Sequence, residues 1–153
     1  MTKMVGLMLQ CIFSSTTKCR VSFREEAMRE SASDSDSLMI YKKNTATVIE
    51  KHGVTMHIYS SADDCPQAAV AYQETATGHA EEFYHEKSAF IYYIIEGRGT
   101  WVIEDIEYPV EAGDVVIVPP RRRFYFTGTL RQICVTAPAW KERYEKHVRY
   151  VEL

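Results

Sequence analysis

Two glycine-anchored segments constrain the fold of this chain more than any other feature of its sequence. A Gly-Arg-Gly segment at residues 97–99 follows an apolar run, and a Gly-Asp pair at 113–114 opens the run 115–118, which Pro119 and Pro120 end. Such glycine pairs are typical of tight turns between strands, and proline is rare inside a sheet. The first segment therefore predicts a β-hairpin, and the second predicts a turn that leads into a short apolar strand.

Short strand-like runs recur through most of the chain after residue 38. They cover residues 45–50, 54–59, 68–73, 90–95, 100–104, 115–118, 123–127 and 132–136. Many short strands separated by turn residues are typical of a β-sandwich or a β-barrel. Only residues 140–148 have helical spacing, with Trp140 and Tyr144 four residues apart on one face. The pattern therefore predicts an all-β fold with one short C-terminal helix.

Composition excludes several classes of function. The 153 residues are 46% hydrophobic and 25% charged, which is ordinary for one soluble domain. A net charge of −3 gives no general attraction to nucleic acid or to an anionic membrane, and no apolar stretch approaches the roughly 20 residues of a membrane span. The four cysteines are widely spaced and contain no CxxC pair, which favours free thiols in the cytoplasm.

The first part of the chain has a different character from the remainder. Residues 24–37 are polar and serine-rich, which is typical of disorder, and the apolar run 5–13 lacks the small-residue cleavage motif of a signal peptide. Translation that starts at Met28 or Met39 is an alternative explanation. We predict that residues 1–37 are a disordered or spurious extension and that residues 38–153 form a single domain.

Two stretches of the chain resemble the two signature motifs of the cupin superfamily. Gly97 matches the closing glycine of the first motif, and Gly113 and Pro119 match the glycine and proline of the second motif. The resemblance covers roughly residues 68–138. It implies the cupin double-stranded β-helix, a jelly-roll barrel. It does not identify a reaction, because this fold supports many activities.

The positions that bind a metal ion in most cupins are largely replaced. Three of the four carry Phe83, Phe90 and Phe124, and only His85 keeps a side chain that can bind a metal. Phenylalanine cannot donate an electron pair, whereas a divalent transition metal needs several nitrogen or oxygen ligands. The resemblance therefore implies a degenerate metal site and an aromatic pocket.

A rearranged metal site is the alternative that the sequence leaves open. On one strand, His79, Glu81 and His85 would point to the same face and supply candidate metal ligands. In an extended strand His79 and His85 would lie about 20 Å apart, and Glu81 and His85 about 13 Å apart. These distances exceed the reach of one ion unless the strand bends. The cofactor is thus left open, and a divalent transition metal is not favoured.

The favoured hypothesis is a small-molecule-binding cupin without a metal, which acts as a binding module or as an enzyme. His85 is the candidate base, with Tyr92 and His57 as assisting residues. This combination is similar in role to that of metal-free sugar-nucleotide epimerases and isomerases of the superfamily. The alternatives are a metal-dependent enzyme and a structural or regulatory cupin in which the phenylalanines only fill the barrel.

Two further features indicate the ligand and a partner. Strand alternation places Arg122 on the side of Phe124 and Phe126, where a guanidinium could bind a carboxylate or phosphate while aromatic rings contact a sugar. The predicted ligand-binding set is therefore Phe83, Phe90, Arg122, Phe124 and Phe126. The outer face of residues 91–94 is a candidate homodimer interface. The predicted partners are a small anionic or carbohydrate-like molecule and a second copy of the chain.

Overall fold

The computed structural model describes residues 40–153, which form nine β-strands. The strands are β1 (Thr47–Lys51), β2 (Val54–Ile58), β3 (Ala69–Thr75), β4 (Gly78–His85), β5 (Ala89–Ile103), β6 (Ile106–Glu111), β7 (Val115–Val118), β8 (Phe124–Ala137) and β9 (Glu145–Tyr150). Single 3₁₀ turns lie at Lys43–Thr45 and Glu142–Tyr144, and residues 40–153 contain no α-helix. The predicted all-β class is confirmed.

All nine strands belong to one antiparallel sheet organised around the long strands β5 and β8. The sheet runs in the order β1-β2-β3-β8-β4-β9, and β5 pairs with β6, β7 and β8. β5 and β8 pair over almost their whole length, from Ala89 opposite Ala137 to Ile103 opposite Phe124. One half of β8 carries β3 and the other half carries β4. The sheet is therefore curled into a half-barrel, and its inner side forms the core.

The predicted hairpin at residues 97–99 is wrong, because β5 continues through this segment. Gly97 has a φ of +95°, and the register against β8 shifts between Ile94 and Glu96, so the strand bends without reversing. The chain reverses instead at Glu104 and Asp105, both with positive φ, as two-residue hairpin turns require. The two predicted strands at 90–95 and 100–104 are thus one bent strand.

Strand β6 was not predicted, because it contains Pro109. Proline lacks an N–H and is tolerated at the edge of a sheet. β6 is such an edge strand, since it pairs only with β5.

The predicted C-terminal helix is also wrong. Residues Glu145–Tyr150 form β9, which pairs with the outer edge of β4 from Glu81 opposite Tyr150 to His85 opposite Glu145. A short isolated helix is only marginally stable, whereas a strand here satisfies the backbone groups of an open sheet edge. Edge pairing therefore prevails over a weak helical pattern.

The core is a cluster of aromatic rings on the inner side of the half-barrel. Its largest members are no more than 6% exposed, and neighbouring ring centroids lie 4.3–6.2 Å apart. They are Phe83 on β4, Phe90, Tyr92 and Trp101 on β5, and Phe124 and Phe126 on β8. Aromatic pairs in this range add about 0.5–1.5 kcal/mol each beyond the burial of their surface. Within residues 40–153, no helix is long and apolar enough to cross a bilayer.

Candidate functional site

His79 lies at the start of an irregular stretch of β4. His79 lies opposite Phe126 on β8, and Phe83 lies opposite Phe124. Four steps along β4 therefore match only two steps along β8, so the register shifts between His79 and Phe83. In this stretch the ring Nδ1 of His79 lies 2.9 Å from the backbone oxygen of Glu81. A carbonyl oxygen can only accept, so Nδ1 donates the proton and Nε2 keeps the lone pair of the neutral ring.

The surroundings of His79 keep its ring neutral. The residue is 8% exposed, and its ring centroid lies 5.1 Å from Phe83, 5.3 Å from His52 and 5.8 Å from Phe126. Burial lowers the pKa of His79 below its ordinary value, and the hydrogen bond to Glu81 only partly offsets this effect. Among the described residues, Nε2 has no hydrogen-bond partner. His79 therefore has the properties of a general base.

Tyr92 lies in the same aromatic interior on β5. Its ring is 2% exposed and lies 6.1 Å from Phe126, which in turn contacts His79. Burial raises the pKa of Tyr92 well above its ordinary value, and the thiol of Cys134 faces it from the paired position on β8. Burial also raises the pKa of Cys134 to about 12. Tyr92 thus keeps its proton at neutral pH and can act as a hydrogen-bond donor.

Both ring nitrogens of His85 are occupied by backbone groups. The N–H of Ser88 donates to Nδ1 at 2.8 Å, and Nε2 donates to the carbonyl oxygen of Lys141 at 3.1 Å. Burial lowers the pKa of His85, so the ring is neutral and its one lone pair is already used. His85 therefore connects the end of β4 to the segment before β9. Its role as the base remains a prediction from the sequence.

His57 and Arg122 lie away from the aromatic interior. Val54 and Met56 on β2 pack toward the core, and successive side chains of a strand point to opposite faces. His57 therefore points outward, where its ring centroid lies 5.6 Å from that of Tyr72. Arg122 lines a groove of about 570 Å³ between β6 and β7, which includes Tyr108, Ile117 and Pro119. The structure therefore brings neither residue together with His79 and Tyr92.

All four predicted ligand-binding phenylalanines lie inside the half-barrel and are 1–6% exposed: Phe83, Phe90, Phe124 and Phe126. None of them lines the groove that contains Arg122. The predicted combination of an arginine with these rings is therefore not assembled in one place.

The candidate metal ligands are not grouped around one point. The carboxylate of Glu81 lies 2.8 Å from Nε2 of His52 and 2.7 Å from Nδ1 of His147, while the nitrogens of His85 bind backbone groups. Across residues 40–153, no three His, Cys, Asp or Glu side chains are arranged to hold a metal ion. The side chains at the cupin motif positions therefore do not fit the metal that most cupins bind.

Sequence reasoning missed His52 and His147 as members of the site. His52 occupies a left-handed turn between β1 and β2, with a φ of +52°, and His147 lies in the segment predicted as a helix. The break between the predicted strands 45–50 and 54–59 indicates a turn at His52, but the sequence does not show that this turn lies close to β4. The position of His147 depends on the unexpected pairing of β9 with β4.

Comparisons with known proteins agree with this architecture. Residues 71–135 match the family model of the cupin domain. The structure of Pac13, a nucleoside dehydratase, is 29% identical, covers 76% of this chain and 95% of its own, and superposes with a TM-score of 0.72. A variant of PAC13 from Streptomyces with uridine is 30% identical, with 76% of this chain and 94% of that chain covered and the same TM-score.

A more distant structure supports the fold alone. A protein from Planctomyces limnophilus is 16% identical, covers 72% of this chain and 96% of its own, and has a TM-score of 0.65. Comparison with proteins of curated function gives no match. The curled antiparallel sheet, the matching family model and the extensive similarity to Pac13 lead to one conclusion: this chain belongs to the cupin superfamily.

Proposed function

We propose that this chain binds a nucleoside and eliminates water from it without a metal, with His79 as the general base. The observation that carries the proposal is the buried, neutral ring of His79, whose Nδ1 is held by the Glu81 carbonyl while Nε2 stays without a partner among the described residues. His79 takes the role that the sequence assigned to His85. The similarity to Pac13, a nucleoside dehydratase, supports the reaction class.

The spacing of three residues also supports this proposal. Solved PAC13 variants with uridine carry a substitution at a histidine, at a tyrosine 13 positions later, or at a tyrosine 47 positions later. His79, Tyr92 and Phe126 have the same spacing. The variant with phenylalanine at the last position is 30% identical to this chain, whereas the other two are 28% identical. The phenylalanine variant thus has the highest identity of the three, which is expected if this chain has a histidine, a tyrosine and a phenylalanine at these positions.

The chemistry of dehydration fits these side chains. A histidine base can remove a proton from a carbon next to a carbonyl group, so the substrate class is a nucleoside with a carbonyl on its ribose and a hydroxyl at the β position. His79 Nε2 takes the proton, and the electron pair of the broken C–H bond forms the carbon–carbon double bond. The C–O bond then breaks, and the departing hydroxyl takes the proton from Nε2 of His79 and leaves as water, which returns the base to its neutral form. Tyr92 donates a hydrogen bond to the carbonyl oxygen as negative charge develops there.

Replacing Phe126 by tyrosine should increase the rate of dehydration. Phe126 is 1% exposed, its ring lies near those of His79 and Tyr92, and its spacing from His79 equals the spacing in PAC13 between the substituted histidine and the later substituted tyrosine. A hydroxyl at this position would add a hydrogen-bond donor to the reacting group, which can raise the rate by about 10-fold or more. The assay uses uridine derivatives that are each oxidised to a carbonyl at one ribose carbon, and it detects loss of water by mass spectrometry.

The matched control for this experiment is Phe124→Tyr. Phe124 is equally buried on the same face of β8, but no ring contact joins it to His79. We expect no increase with this variant. If neither the unsubstituted protein nor Phe126→Tyr dehydrates any member of the panel, the proposed reaction is wrong.

A second candidate function is a non-catalytic cupin, which the aromatic filling of the half-barrel favours. Phe83, Phe90, Phe124 and Phe126 occupy its interior, and the grooves of about 570 and 450 Å³ in the described part of the chain are lined by other residues. Saturable binding of uridine without turnover, in both the unsubstituted protein and Phe126→Tyr, would support this candidate instead.

We further propose that the chain forms a homodimer through the outer face of β5 and β7. Tyr93 pairs with Val115 and Ile91 with Ile117, and Tyr93 and Ile117 are 49% and 60% exposed. Contiguous exposed apolar side chains of this kind are typical of interaction surfaces. An isologous contact lets each copy cover the same patch on the other.

Light scattering after size-exclusion chromatography tests the dimer. We expect a dimer mass for the unsubstituted protein and a monomer mass for Ile117→Arg. Val48→Arg is the control, because Val48 is also exposed at 56% but lies on β1, away from β7. A monomer mass for the unsubstituted protein at high concentration would contradict the proposal.

A further inference from the structure

Two consecutive glutamates are buried on opposite faces of the irregular stretch of β4. Glu81 is 5% exposed and Glu82 is 1% exposed. Burying a carboxylate is costly unless partners of opposite charge or hydrogen-bond donors compensate for the lost water. Both carboxylates have such partners on the neighbouring strand β9: His147 for Glu81 and Arg149 for Glu82. β9 therefore holds this stretch of β4 through side chains on both faces.

The Glu81 side chain joins three separate elements. Its Oε1 accepts a hydrogen bond from Nδ1 of His147 on β9 at 2.7 Å, and its Oε2 lies 2.8 Å from Nε2 of His52 in the turn between β1 and β2. The same turn is fixed to β4 through the backbone, because the N–H of Ala80 donates to the carbonyl oxygen of His52 at 2.8 Å. The carboxylate of Glu81 is thus hydrogen-bonded to His147 through one oxygen and lies close to His52 through the other.

The backbone of Glu81 holds the proposed base. Its carbonyl oxygen accepts the Nδ1 proton of His79 at 2.9 Å, across the register shift that separates His79 from Phe83. The ring of His52 also contacts the ring of His79 edge-on, with centroids 5.3 Å apart. The position and tautomer of His79 therefore depend on a backbone segment that lacks a regular ladder with β8 and is held by its pairing with β9 and by the side chain of Glu81.

We infer that Glu81 is a positioning residue for His79. Its carboxylate, held by His52 and His147, fixes the carbonyl oxygen that keeps the proton on Nδ1 of His79 and leaves Nε2 free as the base. This inference rests on the proposed function for the role of His79. Neither the carboxylate of Glu81 nor the two histidines that hold it need to contact the substrate. Nitrogen NMR of the His79 ring can therefore test the positioning role separately from turnover.

Two variants remove this anchoring in different ways. Glu81→Ala removes the carboxylate, and His147→Ala removes one of its partners at a position whose side chain is 45% exposed, so its effect on folding is small. We expect both to convert the single Nδ1–H tautomer of His79 into a mixture, as measured by nitrogen NMR of histidine-labelled protein. We also expect kcat to fall by about 10- to 100-fold, because small misplacements of a catalytic group have effects of this size. KM should change by less than about 2-fold, since the substrate contacts are retained.

The control is Arg149→Ala, which removes the corresponding partner of Glu82 from the same strand. It should leave the tautomer of His79 unchanged, and Glu81→Gln should retain more of the Nδ1–H form than Glu81→Ala. An unchanged His79 tautomer in His147→Ala would overturn the inference even if Glu81→Ala fails to fold. If the unsubstituted protein has no dehydratase activity, the proposed function fails, and the tautomer measurement alone still decides the positioning role.

Discussion

Replacing His79 by glutamine is expected to lower kcat for dehydration by about 100- to 10,000-fold, the usual contribution of a general base. Glutamine approximates the size of the ring and retains a side-chain donor for the Glu81 carbonyl, but it has no basic nitrogen in place of Nε2. The loss should appear in kcat, whereas binding of uridine should persist. Mass spectrometry of the product and calorimetry of uridine binding measure the two quantities separately.

The matched control for this prediction is His57→Gln. His57 faces outward beside Tyr72, so its replacement should leave kcat within about 2-fold of the unsubstituted value. The base works in its neutral form, and burial lowers the pKa of His79. Activity should therefore fall only as the pH drops through a value below the ordinary histidine pKa. A His79→Gln variant that keeps nearly full kcat would contradict the role of His79 as the base.

Replacing Gly97 by alanine is expected to reduce the free energy of unfolding by about 3 kcal/mol, from unfavourable backbone conformation and steric overlap together. Gly97 has a φ of +95°, which disfavours any side chain, and an added methyl group would overlap the carbonyl oxygen of Thr129 on β8. Relief of the overlap must separate β5 from β8 at the bend. Urea denaturation followed by circular dichroism measures the change.

Gly113→Ala separates the two causes of this destabilisation. Gly113 has a similar φ of +98°, but no atom lies within 4 Å of the added methyl group. The free energy of unfolding of this variant should therefore fall only by the conformational cost, about 1 kcal/mol. Equal losses for the two variants would show that close packing at the β5 bend contributes nothing to stability.

The sequence predicts the strands well where an apolar pattern and turn residues coincide. The run 115–118 between a Gly-Asp turn and Pro119 is such a case, and it corresponds directly to β7. The sequence predicts strands less well where a glycine lies in a bend. The glycines around Gly97 are typical of a turn, although β5 passes through this segment. The cause is the pairing with β8, which continues on both sides of the glycine and is not visible in local sequence.

The candidate site could be predicted only in part, for a similar reason. Alternation from Phe90 correctly turns Tyr92 toward the interior, where it is 2% exposed. The sequence does not distinguish the roles of His79 and His85, since that difference lies in which backbone groups contact their rings. The contact of Glu81 with His147 requires β9, which the helical spacing of residues 140–148 concealed.

Titration of the labelled protein with uridine, followed through the ring nitrogens of its histidines, tests whether a nucleoside binds at His79. We expect a saturable change in the signal of Nε2 of His79, while the two nitrogens of His85 stay unchanged because backbone groups occupy them. We also expect this change to persist in Phe126→Tyr. Perturbation of His85 without His79, or no change in either at saturating uridine, would contradict a nucleoside site at His79.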